Sequence, residues 1–398
     1  MPTFNFKDND GVDIGNKYVT KEYVMDAYPD LVPGFASGEL FTCGYGQYGR
    51  LGNGTTTGRS SPGTTVSGVT TWKQVSAGLQ HVAAGIKTDG TLWTWGGAQS
   101  GGMGDGTTTS RSSPGTTAGG GTNWKQVAVG GSNAAAVKTD GTLWTWGVNT
   151  SGPLGTGNTT DRSSPGTTAG GGTNWKQVAM ASNVLAAIKS DGTLWTCGYN
   201  AGKALGTGDT TNRSSPGTTV GGGTDWKQVS CSSFHAAAVK ADGTLWTWGS
   251  NGFGTLGTNN TTSRTSPGTT AGGGTNWKQV SCGTTNTAAV KTDGTLWTCG
   301  YGYKGLLGDG TTTTRSSFGS TAGGGTNWKQ VNARWYNMAA IKTDGTLWTW
   351  GEGGYGTLGS GNTTDRSSPG TTSGGGTNWK DVSISMYNLL IISDQGEL

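Results

Sequence analysis

Histidine is the side chain best suited to moving a proton near neutral pH, and the sequence holds two, His81 and His235. Each stands nine residues after a tryptophan that opens a "WKQV" stretch. After other copies of that tryptophan the same place is taken by Asn133, Asn286, Asn337 and Asn388, and in one copy by Val184. A place that accepts His, Asn or Val serves a turn or a packing contact, so neither a Ser-His-Asp nor a Cys-His set is expected, and no enzyme.

The five cysteines lack CxxC spacing and a histidine cluster, which argues against a zinc site and a complete disulfide framework. Cys43, Cys197 and Cys299 replace the second Trp of "WTWG", where a small apolar side chain packs; Cys231 and Cys282 share another repeat position, and a bridge between them stays open. Six "DG" aspartates, Asp89, Asp140, Asp191, Asp242, Asp293 and Asp344, are explained by turns, and no calcium loop surrounds them. No metal or cofactor is expected. Three basic sets recur: Lys73 through Lys380 after the tryptophans, Lys87 through Lys342 before the turns, and Arg59 through Arg366. They could meet phosphates, but the formal charge is only +4, and nucleic acid is not the expected partner.

These residues are positioned by a repeat. "WK(Q/D)V" begins at Trp72, Trp124, Trp175, Trp226, Trp277, Trp328 and Trp379, one step of 52 residues and five of 51. The "LWTWG" segment ends at Gly44, Gly96, Gly147, Gly198, Gly249, Gly300 and Gly351 with the same steps. Within a unit "WKQVA", "AAAVK" and "TLWTW" read as strands, the last two joined by a tight Asp-Gly turn, and a weaker fourth is expected around "PGTTAG". Four antiparallel strands repeated seven times predict an all-β, seven-bladed propeller over residues 36–398. The chain ends on "SDQGEL", while "GELFTCG" at 38–44 supplies the strand that should follow. The ring is therefore expected to close by pairing of N- and C-terminal strands, with Leu398 near Leu40.

With its Trp-Gly strand followed by "GSNGFGTLG" at 249–257, "GYNAGKALG" at 198–206 and "GEGGYGTLG" at 351–359, the sequence resembles the regulator of chromosome condensation family. The resemblance implies a seven-bladed propeller but no single function, since the family includes nucleotide-exchange factors, enzyme inhibitors, a plant ultraviolet sensor and viral structural proteins. The sensor's Trp-rich motif is matched only by Arg334-Trp335, so photoreception is not expected.

The copies differ most in two windows, one after "WKQV" and one after the Trp-Gly strand. Up-and-down strands place both windows on one end of the propeller. Tyr45, Tyr48, Phe234, Phe253, Tyr301, Tyr303, Trp335, Tyr336, Tyr355 and Tyr387 make that end a candidate recognition face, because aromatics dominate binding hot spots.

Residues 1–35 depart from the repeat, and their six carboxylates against three lysines leave the repeats at about +7. Thr20 reads as the cap of a helix over 21–28, which Pro29 stops, and Tyr18, Tyr23, Val24 and Tyr28 are candidate anchor residues. This leader is similar to those of tailed-phage structural proteins. That resemblance implies a virion location, anchoring to virion structural proteins, and a propeller displayed for adhesion to a host-surface glycan or protein. The alternative is a cellular regulatory binding propeller, exchange-factor-like or inhibitor-like. No signal-peptide pattern and no apolar run of roughly 18 residues occurs, so cytosolic synthesis without membrane insertion is expected.

Overall fold

Strand β1 (Leu40–Gly44) and β2 (Arg59–Thr64) are followed by six complete units, the first of which comprises β3 (Trp72–Ala77), β4 (Val82–Lys87), β5 (Leu92–Gly96) and β6 (Arg111–Thr116). The computed structural model describes residues 38–66, 71–79, 81–373 and 375–394. The expected helix and the anchor candidates Tyr18, Tyr23, Val24 and Tyr28 lie outside them, as does Leu398. The described residues form seven four-stranded antiparallel sheets. The Trp-opened strands of successive sheets touch one another around the whole ring, so they line the axis. The units from Trp72, Trp124, Trp175, Trp226, Trp277 and Trp328 are blades one to six.

The seventh blade is built from both ends. Its order is β2, β1, β28 (Asn388–Ser393), β27 (Trp379–Ile384), and Leu40 pairs with Ile392 while Gly44 pairs with Asn388. Leu389, Leu390, Ile391 and Ile392 are fully buried by this clasp.

Each blade is fixed by local chemistry that the repeat carries seven or nearly seven times. In the first, Asp89 Oδ1 accepts from Thr91 N at 2.9 Å and from Thr91 Oγ1 at 2.6 Å, and Trp93 Nε1 donates to Thr91 Oγ1 at 2.8 Å. Gly90 sits at φ +78°, and a Cβ there would lie 2.0 Å from the Thr122 carbonyl oxygen of the following connection, so only glycine fits. The fourth strand begins earlier than "PGTTAG": it runs over "RSSPGT", with Pro114 inside it. That is tolerated because the strand is the sheet's outer edge and pairs irregularly, at Gly96↔Arg111, Thr94↔Gly115 and Trp93↔Thr116, where the missing proline N–H breaks no ladder bond.

The core lies between blades. The second Trp of each "WTWG" is fully buried and donates its indole N–H into the preceding blade's loop, as Trp95 to Arg50 O (3.0 Å), Trp146 to Gly102 O (3.1 Å), Trp248 to Ala204 O (2.8 Å) and Trp350 to Leu306 O (3.1 Å). Cys197 and Cys299, at the same position, direct their thiols to Pro153 O (3.7 Å) and Thr255 O (3.4 Å). In the blade of Cys299, Phe318 replaces the usual proline and packs 5.2 Å from the Trp277 ring, restoring apolar volume beside the smaller thiol.

A second belt runs around the axis. Gln74 Nε2 donates to Val127 O (3.2 Å) and Oε1 accepts from Val127 N (2.9 Å) in the next blade. Gln126, Gln177, Gln228 and Gln279 repeat this two-way bond with Val178, Val229, Val280 and Val331. At the clasped blade the belt changes: Asp381 accepts from Gln330 Nε2 (3.3 Å) and Val75 N (3.2 Å), and an ionised carboxylate has nothing to donate onward. Burial in the channel wall raises its pKa, outweighing the bonds from Val75 and Gln330 that lower it.

Asp381→Gln should therefore complete the belt and stabilise the fold by about 1 kcal/mol at neutral pH. A raised native pKa means that the wild-type aspartate's contribution is complete below the unfolded carboxylate value of about 4 and is lost as pH rises through the native value. The advantage of the glutamine chain should widen from about pH 4, the unfolded value, up to the native value and level above it. Urea unfolding across a pH series measures this, and a pH-independent difference would contradict it.

Candidate functional site

The side chains on the loop end rest on two recurring bonds. The threonine of every Trp-Gly strand is buried and donates to a loop carbonyl nine residues on, from Thr42 to Leu51 O (2.8 Å) through Thr349 to Leu358 O (2.6 Å). The residue after the strand's glycine then donates its backbone N–H to the inner hairpin: Tyr45 to Tyr387 O, Gly97 to His81 O, Val148 to Ser132 O, Tyr199 to Asn183 O, Ser250 to Phe234 O, Tyr301 to Thr285 O and Glu352 to Tyr336 O. Both variable windows thus meet on one end in all seven blades. Asn149, Asn200 and Asn251 tighten three of the loops, each accepting from a leucine N–H through Oδ1.

The ten aromatics singled out from sequence fall into two groups and one outlier. Phe253, Tyr301, Tyr303, Tyr336 and Trp335 form a chain of ring contacts from the fourth to the sixth blade, with centroids 4.6, 5.6, 5.8 and 5.5 Å apart. Tyr45, Tyr355 and Tyr387 form a triangle of 5.2, 6.0 and 5.3 Å between the sixth and seventh blades. Tyr48 packs on His81 at 4.7 Å, and Arg50 joins that pair to the triangle. Phe234 is exposed but makes no ring contact among the described residues. Phe253, Tyr303, Tyr355 and Tyr48 are each 40 to 46% exposed. In the second and third blades the corresponding places hold Gly131, Ser132, Val148, Ser182 and Asn183, with Tyr199 the aromatic there. The face is therefore a crescent of aromatics over part of the ring, completed by small and polar residues.

Two arginines support it. Arg50 is 1% exposed, its guanidinium lies 5.3 Å from the Tyr45 ring and 4.7 Å from that of Tyr387, and Nη2 donates to His81 Nδ1 at 2.8 Å. That bond requires His81 unprotonated at Nδ1, and partial burial and then the Arg50 charge lower its pKa. Other copies place Gly102, Pro153, Ala204, Thr255, Leu306 or Thr357 where Arg50 stands, so a lone arginine in a small-residue column was the signal available in sequence.

Arg334 ends an inner strand one residue longer than the others, Trp328–Arg334, and pairs with Asn337. Only Trp335 and Tyr336 remain for the turn, and Trp335 takes φ +43°, the left-handed conformation that two-residue hairpins demand. Arg334 reaches across the axis, donating to Val129 O (3.0 Å) and Met180 O (3.2 Å) of the second and third blades. It lines an axial cavity of about 190 Å³ with Gln74, Asp381 and the serines Ser76, Ser230, Ser281 and Ser383. The Trp335 indole N–H is buried without an acceptor among the described residues.

The other reactive types are spent on structure. His235 is 1% exposed, bonded to Ser232 Oγ and Thr287 Oγ1 at 2.9 Å each, and burial lowers its pKa to about 4. All five cysteines are buried and free; Cys231 faces Val184 O and Cys282 faces Ser230 O, so the pair does not bridge. Burial pushes the Cys43 and Cys231 thiols up to about 12 and the other three higher, which suppresses nucleophilic thiolate. The lysines before the turns lie over paired indoles, as Lys87 does 3.7 Å from Trp93 and 5.3 Å from Trp72. The strand-opening arginines bond carbonyls, as Arg59 does to Gly63 and Thr64.

The regulator of chromosome condensation (RCC1) repeat model matches residues 37–84, 140–188, 191–239, 242–290 and 344–386, and a second model of the same repeat matches 124–152, 226–255 and 277–305. The chain belongs to the RCC1-repeat family. This RCC1-repeat propeller is 31% identical over 310 residues to the ultraviolet-B receptor UVR8 of Arabidopsis thaliana, covering 74% of the chain and 68% of UVR8. It is 29% identical over 288 residues to human HERC2, an E3 ubiquitin-protein ligase, covering 70% of the chain but 6% of HERC2. Its fold matches Prp20p of Saccharomyces cerevisiae with a TM-score of 0.78 at 17% identity, over 93% of the chain and 94% of Prp20p. The RCC1-repeat assignment accounts for the repeating blades. No helix among the described residues is long and apolar enough to cross a membrane.

Proposed function

We propose that this RCC1-repeat propeller is a non-enzymatic binding platform that takes a protein partner on its aromatic crescent. The observation that carries the reading is the confinement of exposed, mutually stacked aromatics to one arc of one end, held up by buried Arg50. A large amphipathic ring held in place gives contact area at little entropic cost.

Relatives support a cellular regulatory role, acting by binding as an exchange factor or inhibitor does: they come from a plant, human and yeast, and Prp20p is described by its binding to Gsp1p and histones. The reading as a virion display protein rests on residues 1–35, and these relatives lend it nothing.

Affinity purification from the source cell, comparing wild type with Phe253→Ser/Tyr303→Ser/Tyr355→Ser, tests the proposal. Removing three hot-spot aromatics should weaken a true partner by roughly a hundredfold or more. The same partners retained by the triple variant, or aromatic-dependent binding to a glycan array with no protein partner, would overturn it.

A further inference from the structure

Of the three basic rings in the repeat, two are consumed by the fold and one is free. The lysines before the turns sit against indoles and the arginines bond carbonyls, but the lysine after each repeat tryptophan does neither. A register shift in every inner strand, between Trp72 and Gln74 in the first blade and at the equivalent place in the other six, leaves this lysine without an opposite residue. Lys73, Lys125, Lys176, Lys227, Lys278 and Lys329 are exposed and Lys380 is half-buried. None of the seven makes an ion pair among the described residues.

Their placement is set by topology. Each is the second residue of an axis-lining strand, so the seven lysines stand around the axis at the end opposite the aromatic crescent. The "DG" aspartates share that end, since Thr88 N bonds Thr71 O, but they lie between the second and third strands and therefore farther from the axis. At that end the inner lysines face outward onto a ring in which each aspartate is matched by the lysine two residues before it, as Asp89 is by Lys87, so the unmatched positive charge lies nearest the axis.

We propose that this lysine ring is a binding site for a compact polyphosphorylated anion seated on the propeller axis. Seven like charges arranged around one axis repel one another, and a multivalent anion relieves all seven at once. The excess positive charge is confined to the inner ring, so a compact anion on the axis meets all of it while an extended one runs out onto charge-balanced turns. Nucleic acid would need a basic track with interleaved aromatics, and the aromatic crescent is on the opposite end.

Calorimetry with inositol hexakisphosphate as the probe decides the matter. Wild type should bind at about 50 mM salt and more weakly at about 200 mM. Replacing the six exposed lysines with Gln should reduce affinity by roughly a hundredfold, and replacing them with Arg should restore it. Both variants should keep the wild-type Tm, and the alternating triple Lys73→Gln/Lys176→Gln/Lys278→Gln should be intermediate; it serves as the test if the sixfold variant fails to fold. Absence of wild-type binding at low salt, binding insensitive to the Gln substitutions, or tight binding of long duplex DNA without binding of the compact probe would each overturn the proposal.

Discussion

Deleting Leu40–Gly44 should abolish the cooperative folding of the propeller. The strand supplies five register pairs to β28, from Leu40↔Ile392 to Gly44↔Asn388, and is the one strand that β2 pairs with among the described residues. Without it, Leu389, Leu390, Ile391 and Ile392 lose a partner along one edge, and an uncovered apolar edge is a template for association. Burial of each such side chain contributes about 1.5–3 kcal/mol, so loss of the clasp removes much of a typical net stability of about 5–15 kcal/mol. Size-exclusion chromatography and thermal melting should show aggregation or a broad, low transition in place of a single one. A monomeric deletion chain with the wild-type transition would show that the ring does not depend on its seam.

Trp248→Ala should destabilise the propeller by about 3–5 kcal/mol. Its side chain is fully buried, its Nε1 donates to Ala204 O across the blade interface at 2.8 Å, and its ring meets Trp226 edge to face at 6.3 Å. Alanine leaves a cavity between two blades and strands the Ala204 carbonyl. Trp248→Cys should cost less, because the sequence itself uses cysteine there at 197 and 299, where the thiol still faces the preceding blade's carbonyl. Urea unfolding of the two variants gives the comparison; equal losses would mean that the interblade bond contributes nothing beyond volume.

Repetition made most of the fold legible. A strand position seen seven times, six of them after an Asp-Gly turn, with large apolar side chains on alternate residues, leaves little freedom in blade number or strand direction. The fourth strand runs over "RSSPGT" rather than "PGTTAG", because an edge strand of small and polar residues carries no apolar alternation to mark where it starts. In the candidate site the aromatic residue types were legible, but their grouping was not. Tyr45 and Tyr387 are 342 positions apart in sequence and 6.0 Å apart in the fold because the clasp makes them neighbours. Arg50 and His81 are 31 positions apart and belong to different blades, and only their packing shows that they form one bonded pair.

By itself the sequence determined the seven blades and their closure from both ends, because period, turn chemistry and the split unit are local patterns that survive without coordinates. Tertiary structure decided which of the three basic rings is free. It also decided that the aromatics form a crescent, and that Arg334 crosses the axis while Asp381 interrupts the glutamine belt. Those outcomes depend on which side chain of one blade faces the next across an interface, and no spacing within a repeat records that.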